Sequence, residues 1–410
     1  MTDEEPGYRS VDVPYIPFVD GDNDKFARLP DYIRGAIDAA TVWAVPDQVD
    51  FDDPLSILRL YIFDIEWAIL PETHADNDGY TFTNVSYYTT HDAEIAQSRE
   101  LGGISRTTVS AGFVRQIAGI AHSIWPLVTN SVVQGPAMPM VIDLDPVSVL
   151  TGGRAITEDE FSAIIQRYPR LFGWKPDRPK DEPTDIEYLL FADMLRFAWA
   201  HEWIHGLFGH VSAFTALLGE DTLNEGHAPG TENDVLLRRA FEFQADAVAL
   251  GILLDSIARG EDPGRLVEFR DGYARRIVML ALAIAFMATH WSAIERTRSD
   301  GQRVHPDAAL RLLQVWLIVV DHLQQVGRTD ETPVLNGLAG STLFALADAL
   351  PPFAALRGVI PGVVRTPQMD HYRTEMLDYI DRLEQQAHLL NRFDLDESAR
   401  GAIPHVVPNW

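Results

Sequence analysis

The sequence contains no cysteine among its 410 residues. This absence excludes disulfide bonds, metal sites built from thiolates and catalysis by a cysteine nucleophile. Any metal ion that the protein binds must therefore be held by histidine and carboxylate side chains.

Basic residues are scarce as well. The chain has 33 Lys and Arg against 60 Asp and Glu, and its net charge is −27. Binding to nucleic acid needs a concentrated basic surface, because the phosphate backbone supplies much of the affinity. The composition therefore predicts no nucleic-acid partner, and the same acidity disfavours binding to an anionic membrane surface.

Long apolar runs are also missing. The longest is IVMLALAIAFMA at 277–288, which is too short to cross a bilayer and is typical of a buried core helix. The N-terminal stretch MTDEEPGYRS is acidic and no apolar run follows it, so no secretory signal is visible. We therefore expect a soluble, cytoplasmic protein without a membrane span.

The periodicity of apolar residues predicts an α+β fold that is mostly helical. Strand-like segments occur only in the first part of the chain: GYTFTNVSYYTT (79–90), ISRTTVSAGF (104–113) and PMVIDLDP (139–146). After a proline-rich connector, helical patterns cover 186–218, 235–258, 266–296, 307–325 and 367–391. We predict an N-terminal helical region (1–75), a central domain (76–325) and a C-terminal helical region (326–410).

The segment AHEWIHGLFGH carries the clearest chemical signal. His201 and His205 are four residues apart on a predicted helix, about 40° apart around its axis, so both imidazoles leave the same face. Glu202 points close by and can reach a water molecule beside the metal. This pattern predicts a zinc site with a glutamate general base. The alternative is a chance arrangement on a buried helix, but burying these groups without a metal would be costly.

A zinc site of this kind needs a third protein ligand. Phe208 and Val211 stand where the metzincin pattern requires glycine and histidine, so that pattern fails. His210 is about half a turn away on an unbroken helix and is a poor ligand unless Gly209 breaks the helix.

A better candidate lies in the later segment RRAFEFQADAVALGILL. Glu242 and Asp246 are four residues apart on one face of an apolar helix. We predict that Glu242 is the third ligand and that Asp246 accepts a hydrogen bond from a ligand histidine and fixes its tautomer. The alternative is a pair of carboxylates on a solvated face.

Three ordered motifs, HEWIH (201–205), EFQAD (242–246) and HPDAALR (305–311), resemble those of the gluzincin metallopeptidases. More narrowly, the chain is similar to the family of the HtpX heat-shock peptidases and the CAAX prenyl endopeptidases. That family carries HExxH, ExxAD and HPxxxxR in the same order.

This resemblance implies a zincin-like catalytic core with a small antiparallel sheet before the HExxH helix. In the family, the zinc ligands match His201, His205 and Glu242, and the general base matches Glu202. It also implies an edge strand along which substrate lies extended, and ISRTTVSAGF is our candidate.

The third motif allows two interpretations. His305 and Arg311 could approach the site and stabilise the oxyanion of a tetrahedral intermediate. Alternatively, Pro306 simply begins a helix and Arg311 makes a structural salt bridge.

Together these features predict a soluble zinc endopeptidase that cleaves protein or peptide substrates. Its role could be the cleavage of a single intracellular protein, as in bacterial phage-exclusion peptidases with HExxH, or general quality control. The rival hypothesis is a metal-stabilised binding or scaffold protein without turnover. The intact Glu202 favours the enzyme, because inactive relatives often lose this residue.

Overall fold

The computed structural model describes residues 84–89, 96–101, 104–129, 142–165, 183–218, 222–223, 231–259, 272–297, 305–359 and 367–386. These residues are mostly helical, as the sequence predicts. The predicted N-terminal helical region (1–75) lies outside them, so the domain boundaries proposed above stay a prediction.

The described part of the chain contains strands, α-helices and short 3-10 segments. In chain order these are β1 (Asn84–Thr89), β2 (Ala96–Leu101), β3 (Ile104–Ser110), α1 (Ala111–Val128), α2 (Pro146–Leu150), α3 (Glu158–Ile165), α4 (Pro183–Leu207), α5 (His210–Leu218), β4 (Thr222–Leu223), α6 (Glu232–Arg259), α7 (Gly272–Thr297), α8 (Ala308–Gln325), α9 (Thr332–Ala349) and α10 (Pro367–Gln385). Two 3-10 segments, Thr329–Glu331 and Pro351–Val359, flank α9.

The elements fall into two compact units. One unit contains β1 to β3, the start of α1 and residues 198–227, which include α5 and β4. The other contains 115–197 and 228–385, which include most of the helices.

The sheet of the first unit has the strand order β1-β3-β2-β4. Strand β3 runs antiparallel to β2 but parallel to β1, and β4 pairs antiparallel with β2. The sheet is therefore mixed rather than antiparallel, and its fourth strand follows the HExxH helix instead of preceding it. Alternating residues predict a strand but not its partners, which is why the sequence missed this order.

One further strand prediction is wrong, and another is wrong over the residues that the structure describes. Strand β3, within the predicted edge strand ISRTTVSAGF, lies between β1 and β2 and is interior. Residues 142–145 of the predicted strand PMVIDLDP form no strand, because Asp145 instead caps α2 by accepting a hydrogen bond from the Ser148 amide at 3.0 Å.

The helical unit is built around α7. Its apolar residues are buried nearly all round, and it packs against α2, α6, α8 and α9. The stretch Gly272–Glu295 is long and apolar enough to cross a membrane by length and composition, but 94% of its most apolar window is buried within the protein. A buried core helix gives the same pattern.

Helix α4 is buried throughout from Ile186 to Gly206, and its polar side chains need partners. Asp193 accepts two hydrogen bonds from Arg276 of α7, at 2.6 and 2.7 Å. Arg196 donates to Ser256 of α6 at 2.9 Å. These contacts hold the middle of α4 in a fixed position, and the HExxH residues follow directly after it.

Candidate metal centre

The two histidines of HExxH face each other at the C-terminal end of α4. The Nε2 atoms of His201 and His205 are 3.1 Å apart, and both side chains are about 1% exposed. Two nitrogen ligands of one tetrahedral zinc ion lie about 3.3 Å apart, given bonds of about 2.0 Å. The pair therefore has a geometry that suits a shared metal ion, as the i, i+4 spacing predicts.

Gly209 determines how the chain leaves this helix. Its φ of +67° is a left-handed conformation that favours glycine, and it ends α4 so that α5 begins at His210. The break brings His210 back onto His205, with the two Nδ1 atoms 2.9 Å apart. When His205 binds a metal through Nε2, its Nδ1–H can donate to His210 and fix the ring orientation.

Glu242 lies on α6 and meets a histidine from the third motif. Its Oε2 is 3.2 Å from Nε2 of His305, and both side chains are buried. One ligand atom from each of His201, Glu242 and His305 lies within 4.8 Å of the other two, so this group could hold a metal ion. His305, for which the sequence left open a role in oxyanion stabilisation, thus joins the predicted ligands His201 and Glu242 in one candidate site.

Glu295 binds the other side of the His305 ring. Its Oε1 accepts from His305 Nδ1 at 2.7 Å and from the His305 backbone amide at 3.0 Å. Burial opposes protonation of this imidazole, but the carboxylates of Glu295 and Glu242 outweigh it and hold the pKa of His305 well above its usual range.

Asp246 and Arg311 form a buried ion pair. Arg311 Nε donates to Asp246 Oδ2 at 2.6 Å, and its Nη2 donates to Oδ1. Asp246 thus binds Arg311, and the hydrogen bond that we predicted between Asp246 and a ligand histidine stays a prediction. The described contacts of Arg311 agree with the structural salt bridge that the sequence analysis left open. Catalytic roles for the two residues stay predictions.

Sequence reasoning missed Glu295 and Trp291. The Trp291 ring stacks on the His305 ring with centroids 5.6 Å apart, and the Arg311 guanidinium lies 4.6 Å from the Trp291 centroid. Neither residue belongs to a motif. Only the folded structure, in which the end of α7 contacts the segment before α8, brings them against His305. The apolar run that precedes them in α7 gave no signal of a site.

The comparisons with known proteins give one finding. A family model described as Peptidase U49 matches residues 161–319, a range that includes all three motifs. No curated protein and no solved structure matches the chain. The match supports the assignment of this chain to a peptidase family.

Proposed function

We propose that the protein is a zinc-dependent endopeptidase of gluzincin type with a zincin-like core. The observation that carries this proposal is the group of His201, Glu242 and His305 beside the glutamate of an HExxH helix. The peptidase match over the same residues supports it.

The donor set fits zinc. Imidazole nitrogen and carboxylate oxygen are common ligands of this ion, and the chain has no cysteine to offer. We assign His201, His205 and Glu242 as ligands. When bound, zinc supplies a Lewis acid that lowers the pKa of a water molecule and polarises a peptide carbonyl.

Glu202 is the general base of the proposed reaction. It directly follows His201 in α4, and it is buried, with 6% of its surface exposed. Its carboxylate takes a proton from the attacking water and delivers it to the leaving amine when the peptide bond breaks. Burial keeps bulk water from competing for this proton.

We propose protein or peptide substrates and a cytoplasmic location. The net charge of −27 supports a soluble protein that does not bind nucleic acid. The burial of the longest apolar helix agrees with this proposal. Cleavage of one restricted substrate and general quality control are both compatible with the site.

The first experiment measures metal content. Elemental analysis of protein purified without chelators or a histidine tag should find about one zinc per chain, and Glu242→Ala should lose most of it. A folded wild-type protein that neither contains zinc nor takes it up would remove the peptidase proposal.

The second experiment tests the chemistry. Glu202→Gln should retain zinc, because Glu202 is not a ligand, while hydrolysis of an unfolded protein such as casein falls by at least about 100-fold. Undiminished hydrolysis in this variant would show that another group acts as the base.

A scaffold protein without turnover is the second candidate. The burial of His201, His205, Glu242 and His305 favours it, because structural zinc sites are closed whereas catalytic ones keep an open position. Zinc binding without hydrolysis of any peptide in a broad peptide library would support the scaffold over the enzyme.

A further inference from the structure

A buried carboxylate–histidine pair joins the end of α7 to the start of α8. Glu295 is 4% exposed and His305 is 3% exposed. One oxygen of Glu295 accepts both the Nδ1–H and the backbone N–H of His305. The two hydrogen bonds fix the position of this residue and the rotation of its ring together.

The hydrogen bonds to Glu295 leave Nε2 as the ring nitrogen that could bind a metal ion. With Nδ1 donating to Glu295, the lone pair of a neutral ring is on Nε2. This nitrogen lies 3.2 Å from Oε2 of Glu242, the ligand assigned on α6. Trp291 stacks on the ring at an interplanar angle of 14° and restricts its tilt.

A histidine that binds a metal through one nitrogen usually donates its other N–H to a carboxylate, a carbonyl or water, which orients the ring and strengthens the ligand. Glu295 occupies that place on His305. We propose that His305 is a further metal ligand and that Glu295 is its positioning residue. This proposal rests on the zinc site proposed above.

A second buried histidine–glutamate pair, His122 and Glu187 in the same unit, has different partners and serves as a comparison. His122 Nδ1 lies 2.9 Å from Oε1 of Glu187, and its Nε2 lies 3.1 Å from the carbonyl of Ile142. Both nitrogens of His122 thus have backbone or structural partners. In His305, by contrast, the second nitrogen faces a carboxylate that is itself a predicted ligand.

This assignment changes the role that the motif suggests for His305. A ligand cannot use the same nitrogen to stabilise an oxyanion. The proposed ligands are then three histidines and one glutamate, contributed by α4, α6 and the segment before α8, and a water molecule on the zinc would need a fifth position. Glu295 then affects activity through the metal and not by contact with substrate.

Zinc affinity tests the proposal without any substrate. We would measure it by competition with a chromophoric chelator for the wild type, His305→Ala, Glu295→Ala and Glu295→Gln. Glu295→Ala should lower the affinity by about 10- to 100-fold. Glu295→Gln keeps an acceptor oxygen for both N–H groups but loses the charge, so its loss should be smaller, about 3- to 10-fold.

Glu187→Gln is the matched control, since it changes the same residue type in the same kind of buried pair. Glu187 and His201 are 14 positions apart on α4, about 21 Å along the helix axis. This variant should lose stability but keep the wild-type zinc affinity. Cobalt substitution adds a direct readout: the visible spectrum should change in His305→Ala and stay unchanged in Glu187→Gln.

The outcomes separate the two proposals. If the folded wild type binds no zinc, the proposed function itself fails. If the wild type binds zinc but His305→Ala keeps its affinity and cobalt spectrum, His305 is not a ligand and this inference is overturned while the enzyme proposal stands. If Glu295→Ala does not fold, the zinc affinity of Glu295→Gln decides the question. An affinity equal to that of the wild type would show that Glu295 does not position His305.

Discussion

Arg311 donates two hydrogen bonds to the carboxylate of Asp246, and both side chains are almost completely buried. The pair connects the EFQAD segment of α6 with the HPDAALR segment at α8, so two sequence motifs meet through it. The guanidinium also lies over Trp291, whose ring stacks on His305. The described contacts of Arg311 are therefore with residues that hold His305 and α6 in place, and not with a predicted metal ligand.

Breaking this pair should destabilise the protein strongly. Arg311→Met leaves the Asp246 carboxylate buried without its counter-charge, and we expect the free energy of unfolding to fall by about 3–5 kcal/mol. Urea denaturation measures this change. The double variant Arg311→Met/Asp246→Leu should recover part of the loss, because no buried charge is left without a partner. A double variant no more stable than the single one would contradict this account.

His210 should matter for metal binding although it is not an assigned ligand. Its contact with His205 orients that ring, so His210→Ala should weaken zinc binding by about 10-fold. Chelator competition measures the affinity. His122→Ala is the control, since it removes a buried histidine bonded to Glu187. It should lower stability without changing zinc affinity, and equal effects of both variants would contradict a specific role for His210.

Gly209 should tolerate no side chain without cost. At a φ of +67°, alanine is strained, and Gly209→Ala should destabilise the protein by about 1–2 kcal/mol. It should also weaken zinc binding, because the turn positions His210. Thermal unfolding and chelator competition test both effects. An equally stable alanine variant would show that the turn does not need the left-handed conformation.

His322 predicts a pH dependence of stability. Burial lowers the pKa of His322, although Asp255 and Asp321 oppose the shift. In the neutral form its Nε2 accepts from the Tyr273 hydroxyl at 2.7 Å, and Arg328 lies over the tyrosine ring.

A folded-state pKa below the unfolded value means that the unfolded chain binds more protons. The stability contributed by neutral His322 is therefore complete above the ordinary histidine pKa of about 6.5 and is lost as the pH falls below it. Urea unfolding at pH 7.5 and 5.5 should show a smaller loss of stability in His322→Gln than in the wild type. Parallel losses in both proteins would contradict the expected titration.

The close packing around Gly119 gives a fifth test. A Cβ atom there would overlap the side chain of Ile156, which is buried, so Gly119→Ala should cost about 1–3 kcal/mol. Gly337 on α9 is the matched control, because a Cβ atom there meets nothing within 4 Å. Gly337→Ala should stabilise the protein by up to about 1 kcal/mol. In thermal unfolding, Gly119→Ala should therefore melt at a lower temperature than the wild type, and Gly337→Ala at an equal or higher one.

The helices of the second half of the chain could be predicted because their cause is local. Apolar residues at helical spacing predicted segments that match α6 and α8 to within a few residues and that agree with α7 and α10 over the residues the structure describes. The predicted helical residues 266–271 and 387–391 lie outside the described part of the chain. The same reasoning predicted 186–218 as one segment, whereas Gly209 divides it into α4 and α5. A single glycine is a weak signal in sequence, since its φ depends on the surrounding structure.

The sequence by itself determined that His201 and His205 face each other, because helix geometry alone brings positions four apart onto one face. Only the tertiary structure decided the partners of residues far apart in the chain. The packing of α6, α7 and α8 brings Glu295 into contact with His305 and Asp246 into contact with Arg311. No local periodicity encodes these two pairs. Spacing within one helix is fixed by its hydrogen bonds, whereas contacts between helices depend on the packing of the whole core.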